Sequence, residues 1–83
     1  MITTSRRDID ERRNEQLRML YNIIVEETGT RTTFLAQASG IANTMLNLWK
    51  NDGKNFRNVN LDRIEYVLQE KFPSIYQDFM NNQ

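Results

Sequence analysis

Thr32–Lys50, TTFLAQASGIANTMLNLWK, is the stretch on which the fold turns. Ala36, Gly40, Ile41, Leu46 and Trp49 fall at spacings that suit two short helices meeting at a tight turn. The spacing predicts a helix over Thr33 to Ala38 that buries Phe34 and Leu35, with Ala36 small enough for a second helix to cross closely. Gly40 supplies the positive φ of the turn. A second helix is expected from Asn43 to Asn51, with Met45, Leu46 and Trp49 on an apolar face. Asn43, Thr44, Asn47 and Lys50 form its other face, which is polar and hydrogen-bonding.

The apolar stripe continues outward from this stretch. Upstream, Leu17, Leu20, Tyr21 and Ile24 recur at i, i+3, i+4 and i+7, and Ile23 widens the stripe, so one long helix running to Glu27 is expected. Ser5 and Asp8 stand at capping-box spacing at its start, after a flexible arm over residues 1–8. Its first half, RRDIDERRNEQ, is charged, with acids and arginines spaced for intrahelical pairs such as Asp8 with Arg12. Two readings of that half stand: a solvated extension, or an arm that reaches phosphates or a second subunit. Gly29 ends the helix, and Thr30 or Thr32 is expected to cap the next.

Downstream, Gly53 closes the second helix of the pair and the loop KNFRNVN follows, with Phe56 and Val59 expected in the core. Asn60 is expected to cap a helix over Leu61 to Lys71 whose buried stripe is Ile64, Val67 and Leu68. Pro73 stops it. A last short helix from Ser74 to Met80 carries Ile75, Tyr76, Phe79 and Met80, as a wall of the core or as part of a dimer contact, before a tail at residues 81–83.

Ala36, Gly40, Ile41, Leu46 and Trp49 resemble the helix-turn-helix signature of the phage-repressor (XRE/Cro-like) DNA-binding family. In that family the small residue packs between the helices, glycine makes the turn, and the large apolar residues anchor the recognition helix. The resemblance covers residues 17 to 72. It implies an all-α, compact bundle of about five helices of the lambda-repressor-like type, here with an extended first helix. It also implies groove-facing positions at Asn43, Thr44, Asn47 and Leu48, and phosphate contacts from Thr32, Lys50, Lys54 and Arg57. The chain departs from the family at two places. Thr32 stands where relatives often carry Gln, and Ala42 stands where Ser or Thr usually caps the recognition helix. If Asn43 caps instead, its side chain is committed to backbone N–H groups and lost to base contact. Asn47 has no such conflict, and its amide matches N6 and N7 of adenine. Leu48 would touch a thymine methyl or pack inside.

Composition bounds the function. At 83 residues the chain is expected to be one domain, 1–83. No apolar run approaches a membrane span, and the N-terminus has no apolar segment of the kind a signal peptide needs, so a cytoplasmic location is expected. Without Cys or His, disulfides and the usual zinc sites are ruled out, and no cofactor is expected. The acids are scattered, with no Gly-rich phosphate loop, which argues against an enzyme.

Net charge is zero, an argument against a nucleic-acid binder, but residues 31 to 57 hold Arg31, Lys50, Lys54 and Arg57 against Asp52 alone. Glu26 and Glu27 precede this positive segment, and Asp62, Glu65, Glu70 and Asp78 outnumber Arg63 and Lys71 after it. The expectation is sequence-specific binding of double-stranded DNA, as a homodimer on a palindromic operator, by a small phage- or mobile-element-type repressor-like regulator. The alternative is a protein-binding module on the same scaffold, such as an antirepressor or host-takeover factor.

Overall fold

The computed structural model describes residues 9–82, in which five helices follow one another: α1 (Glu11–Thr28), α2 (Thr32–Ser39), α3 (Asn43–Asp52), α4 (Asn58–Lys71) and α5 (Pro73–Asn81). The chain is all-α, as expected. The arm, the Ser5–Asp8 box and the Asp8–Arg12 pair lie outside the described residues. Within them α1 is started by Asp10, whose carboxylate accepts the Arg13 N–H at 3.1 Å, and Glu11 adds negative charge at the positive end of the helix.

The four stripe residues Leu17, Leu20, Tyr21 and Ile24 are all buried, and they meet Leu35 and Ala36 of α2, Leu46 and Trp49 of α3, and Leu61, Ile64, Val67 and Leu68 of α4. Burying a leucine or isoleucine as fully as Leu20, Ile24 or Leu61 contributes about 1.5–3 kcal/mol each. Phe79 closes the core from α5, with Ile75, Tyr76 and Met80 half-buried against it, so α5 is a wall of the core.

Several sequence-based boundaries are corrected. Phe34 is 47% exposed and Val59 57% exposed, so neither belongs to the core, and Met45 is exposed as well. Helix phase explains this: with Leu35, Ala36 and Ser39 turned inward, Phe34 falls on the outer side of α2, and Leu61, Ile64 and Leu68 leave Val59 on the outer side of α4. The expected caps are also displaced. α2 begins at Thr32 with Arg31 in the cap position, and the Thr30 hydroxyl is turned to that of Thr28 at 2.6 Å. α4 starts earlier than expected, with Arg57 in the cap position, so Asn60 lies inside the helix. Pro73 opens α5 as its first residue, a position where its missing N–H costs nothing, and Asn81 belongs to that helix rather than to a tail.

Candidate nucleic-acid interface

α2 and α3 form the expected pair. Gly40 sits at φ 74°, in the left-handed region that a side chain disfavours, and its N–H and that of Ile41 both donate to the Ala36 carbonyl, at 2.9 and 3.1 Å. Ala36 is buried between the helices. Ser39, also buried, returns its hydroxyl to the Leu35 carbonyl at 2.8 Å and so needs no other partner.

Trp49 is fully buried and fastens α3 to the rest of the molecule. Its ring lies parallel to Phe56 at a centroid distance of 5.6 Å and edge-on to Tyr21 at 5.5 Å. Its indole N–H donates to Oδ1 of Asn14 at 2.9 Å. That oxygen also accepts the Phe56 N–H at 2.8 Å, while Nδ2 of Asn14 donates to the carbonyls of Asp10 at 2.8 Å and Phe56 at 3.1 Å. Asn14 is fully buried and uses both donors and both acceptor lone pairs, so the amide has one permitted orientation. Arg18 lies over the Trp49 ring, 5.2 Å from its centroid, and donates to the carbonyls of Trp49 at 2.6 Å and Lys54 at 3.2 Å. The end of α3 and the loop behind it are thus held by α1.

The sequence had a signal for Asn14: it continues the Leu17, Tyr21, Ile24 stripe one turn toward the N-terminus. For Arg18 there was none, since its partners are backbone carbonyls far along the chain. Arg13 is likewise drawn into the fold, donating to Asn58 at 3.1 Å and to Asp62 and Glu65 at 2.7 Å each. Burial lowers its pKa, but the hydrogen bonds to Glu65 and then Asp62 outweigh this and hold it above the ordinary value. Neither reading of the charged half fits these residues, because they brace α3, α4 and the intervening loop.

The outer face of α3 carries the residues expected to meet bases. Ala42, not Asn43, holds the cap position, with no side-chain hydrogen bond there. Asn43 is therefore the first helical residue, exposed and not committed to capping. Thr44 is exposed, and Asn47 and Leu48 are half-buried further along. Lys50 is half-buried with Nζ 3.4 Å from the Asn51 side-chain oxygen. Lys54 and Arg57 are exposed beyond Gly53, and Thr32 is half-buried in the first turn of α2.

The helix starts differ in their charge preference. α1 is capped by a carboxylate, whereas α2, α3 and α4 begin at Arg31, Ala42 and Arg57 with no side-chain cap and no acid in the first turn. Their free N–H groups and the positive ends of their dipoles favour an anion. No family model, curated protein or solved structure shows detectable similarity to the chain. Among the described residues no cluster of His, Cys, Asp or Glu is arranged to hold a metal, and no helix is long and apolar enough to cross a membrane.

Proposed function

We propose that the chain binds double-stranded DNA sequence-specifically, as a small repressor-like transcriptional regulator of the phage or mobile-element type. The observation that carries this reading is the two-sidedness of α3. Its inner face is fixed by Trp49, Asn14 and Arg18, and its outer face presents Asn43, Thr44 and Asn47. A helix held this firmly on one side and carrying amides on the other is suited to reading base edges in a major groove. The acid-free starts of α2 and α4, with Thr32 and Arg57 beside them, and the exposed Lys54 supply phosphate contacts, joined by Lys50. Asn47 with Asn43 favours A·T pairs, and Leu48 offers an apolar contact to a thymine methyl. One such helix makes few base contacts, so two copies on a palindromic site account better for regulatory affinity. The setting would be the cytoplasm.

A second reading, a protein-binding module such as an antirepressor or host-takeover factor, is favoured by Phe34, 47% exposed in an open groove beside Arg31 and Lys71. Fluorescence anisotropy with a randomised duplex library at low salt separates the two. The DNA reading expects binding that weakens steeply with salt, Asn47→Ala relaxing base preference and Lys54→Ala weakening all sequences alike. Undetectable affinity at low salt would sink it.

A further inference from the structure

We infer that the groove between the start of α2 and the end of α4 docks an acidic peptide segment of a partner protein, anchored by one bulky apolar side chain. The inference rests on the protein-binding reading above and does not depend on DNA. The groove, of about 740 Å³, is lined by Phe34 and Phe72 together with Arg31 and Lys71, and no carboxylate enters its lining. That volume takes several side chains rather than a single ion.

The apolar part is in place before any partner arrives. Phe72 packs against the core at the junction of α4 and α5, where its N–H donates to the Leu68 carbonyl at 3.0 Å and its own carbonyl accepts the Tyr76 N–H at 2.9 Å. Phe34 stands on α2, which Leu35, Ala36 and Ser39 fix from the inner side, and it is 47% exposed. An apolar side chain laid on these rings removes that surface from water without having to order them first. Thr33 and Gln37, exposed on the same helix and in the same lining, offer hydrogen bonds to a peptide backbone.

Charge selects the occupant. Arg31 and Lys71 are exposed, and among the described residues only Arg13 forms ion pairs, so neither cation is neutralised within the chain. Arg31 also stands at the positive start of α2, which has no acid in its first turn, so a carboxylate there meets the guanidinium and the helix end together. A neutral apolar segment leaves both cations unmatched, and a basic one is repelled. A phosphate backbone satisfies the cations but leaves Phe34 in water. Single-stranded nucleic acid stacks its bases on successive exposed aromatic faces, whereas here Phe72 is half-buried and Phe34 alone of the two rings is largely exposed. Carboxylates flanking an apolar anchor match all of these features.

The test is selection from a phage-displayed library of random peptides on the intact chain, followed by fluorescence anisotropy with the most enriched peptide. Enriched sequences are expected to carry Asp or Glu beside Phe, Leu or Trp, and exchanging the acids for amides, or the anchor for serine, is expected to weaken binding at least about tenfold. Arg31→Glu/Lys71→Glu and Phe34→Ala are expected to weaken it to the same extent. Arg12→Glu/Arg63→Glu makes the same charge change at exposed positions outside the groove and is expected to leave affinity within about threefold. No enrichment over an unrelated protein bait overturns the groove and the protein-binding reading together. Enriched peptides indifferent to Arg31, Lys71 and Phe34 overturn the groove alone, because the chain then binds protein elsewhere. Neutral or basic enriched sequences, or displacement of the peptide by oligo-dT at equal concentration, overturn the acidic partner. A native dimer that Phe34→Ala dissociates assigns the groove to a second copy and overturns the proposal as well.

Discussion

Replacing Asn14 by alanine is expected to be among the most damaging single changes in the chain, although it removes a polar residue from a run that reads as charged surface. The substitution leaves the Trp49 indole N–H and the Phe56 N–H and carbonyl without their buried partner. Each orphaned buried group costs about 1–3 kcal/mol, and partial relaxation brings the sum to about 3–5 kcal/mol. At about 0.05–0.15 kcal/mol per residue, a chain of 83 residues has a total stability of about 4–12 kcal/mol. The variant therefore loses a large share of it, which at about 4–8 °C per kcal/mol lowers Tm by at least about 12 °C. Circular dichroism melts measure this directly. Asn14→Leu separates volume from hydrogen bonding, because it fills the space but orphans the same groups, and it is expected to fare no better. With Trp49→Phe as the second change, a double-mutant cycle should give a coupling of about 0.5–3 kcal/mol. A fall in Tm below about 4 °C for Asn14→Ala, or rescue by leucine, would refute the reasoning.

The Tyr21 hydroxyl is buried without a hydrogen-bond partner, Thr32 being close enough to act on it but outside bonding geometry, so Tyr21→Phe is expected to raise stability by about 1 kcal/mol; a destabilised variant in urea titrations would count against this. Burial pushes the Tyr21 phenol up, and Tyr76 is pushed up chiefly by donating to Glu65 at 2.7 Å. Phenols raised in the folded state contribute stability that is complete below the unfolded value of about 10 and is lost as pH climbs through the folded one. Unfolding free energy should therefore decline in alkali, and an unchanged decline in Tyr21→Phe/Tyr76→Phe would contradict it. Gly40→Ala meets nothing closer than the Arg63 guanidinium at 3.8 Å, so its cost is the backbone alone, about 1–2 kcal/mol, and a neutral melt would show that the turn can give up its positive φ.

What was legible in the sequence was what local chemistry dictates. Gly29, Gly40 and Gly53 each end a helix at positive φ, and the stripe from Leu17 to Ile24 is buried as its spacing required. The caps were not legible. Thr32, Asn43 and Asn60 are all good capping residues, yet each lies inside a helix, because the tertiary packing of Leu35, Leu46 and Leu61 sets where the backbone turns in. A cap contributes about 1 kcal/mol and yields to the burial of a leucine, at about 1.5–3. For Asn14 the stripe spacing signals burial but not the bonds: its partners Trp49 and Phe56 stand 35 and 42 residues away, beyond anything local spacing can register.

The same distance changes the weight of the charge argument. Zero net charge and an acidic stretch after residue 57 speak against a DNA partner only if those acids face outward unopposed. Two of them do not, for Asp62 and Glu65 are joined to Arg13, and Glu65 also receives the Tyr76 hydroxyl. Arg13 offsets one of their two charges, and the cluster holds α1, α4 and α5 together. Arg31, Lys54 and Arg57 remain exposed and outside any ion pair among the described residues. Within a Debye length of about 10 Å, a phosphate meets the local balance rather than the net sum. At the start of α2, where Arg31 stands with no acid in the first turn, that balance is positive, so the neutral total is compatible with a DNA-binding face. Arg13→Ala tests this from the other side: it exposes the two carboxylates unopposed, and if the field around α4 matters, it should weaken DNA binding by more than its modest loss of stability explains.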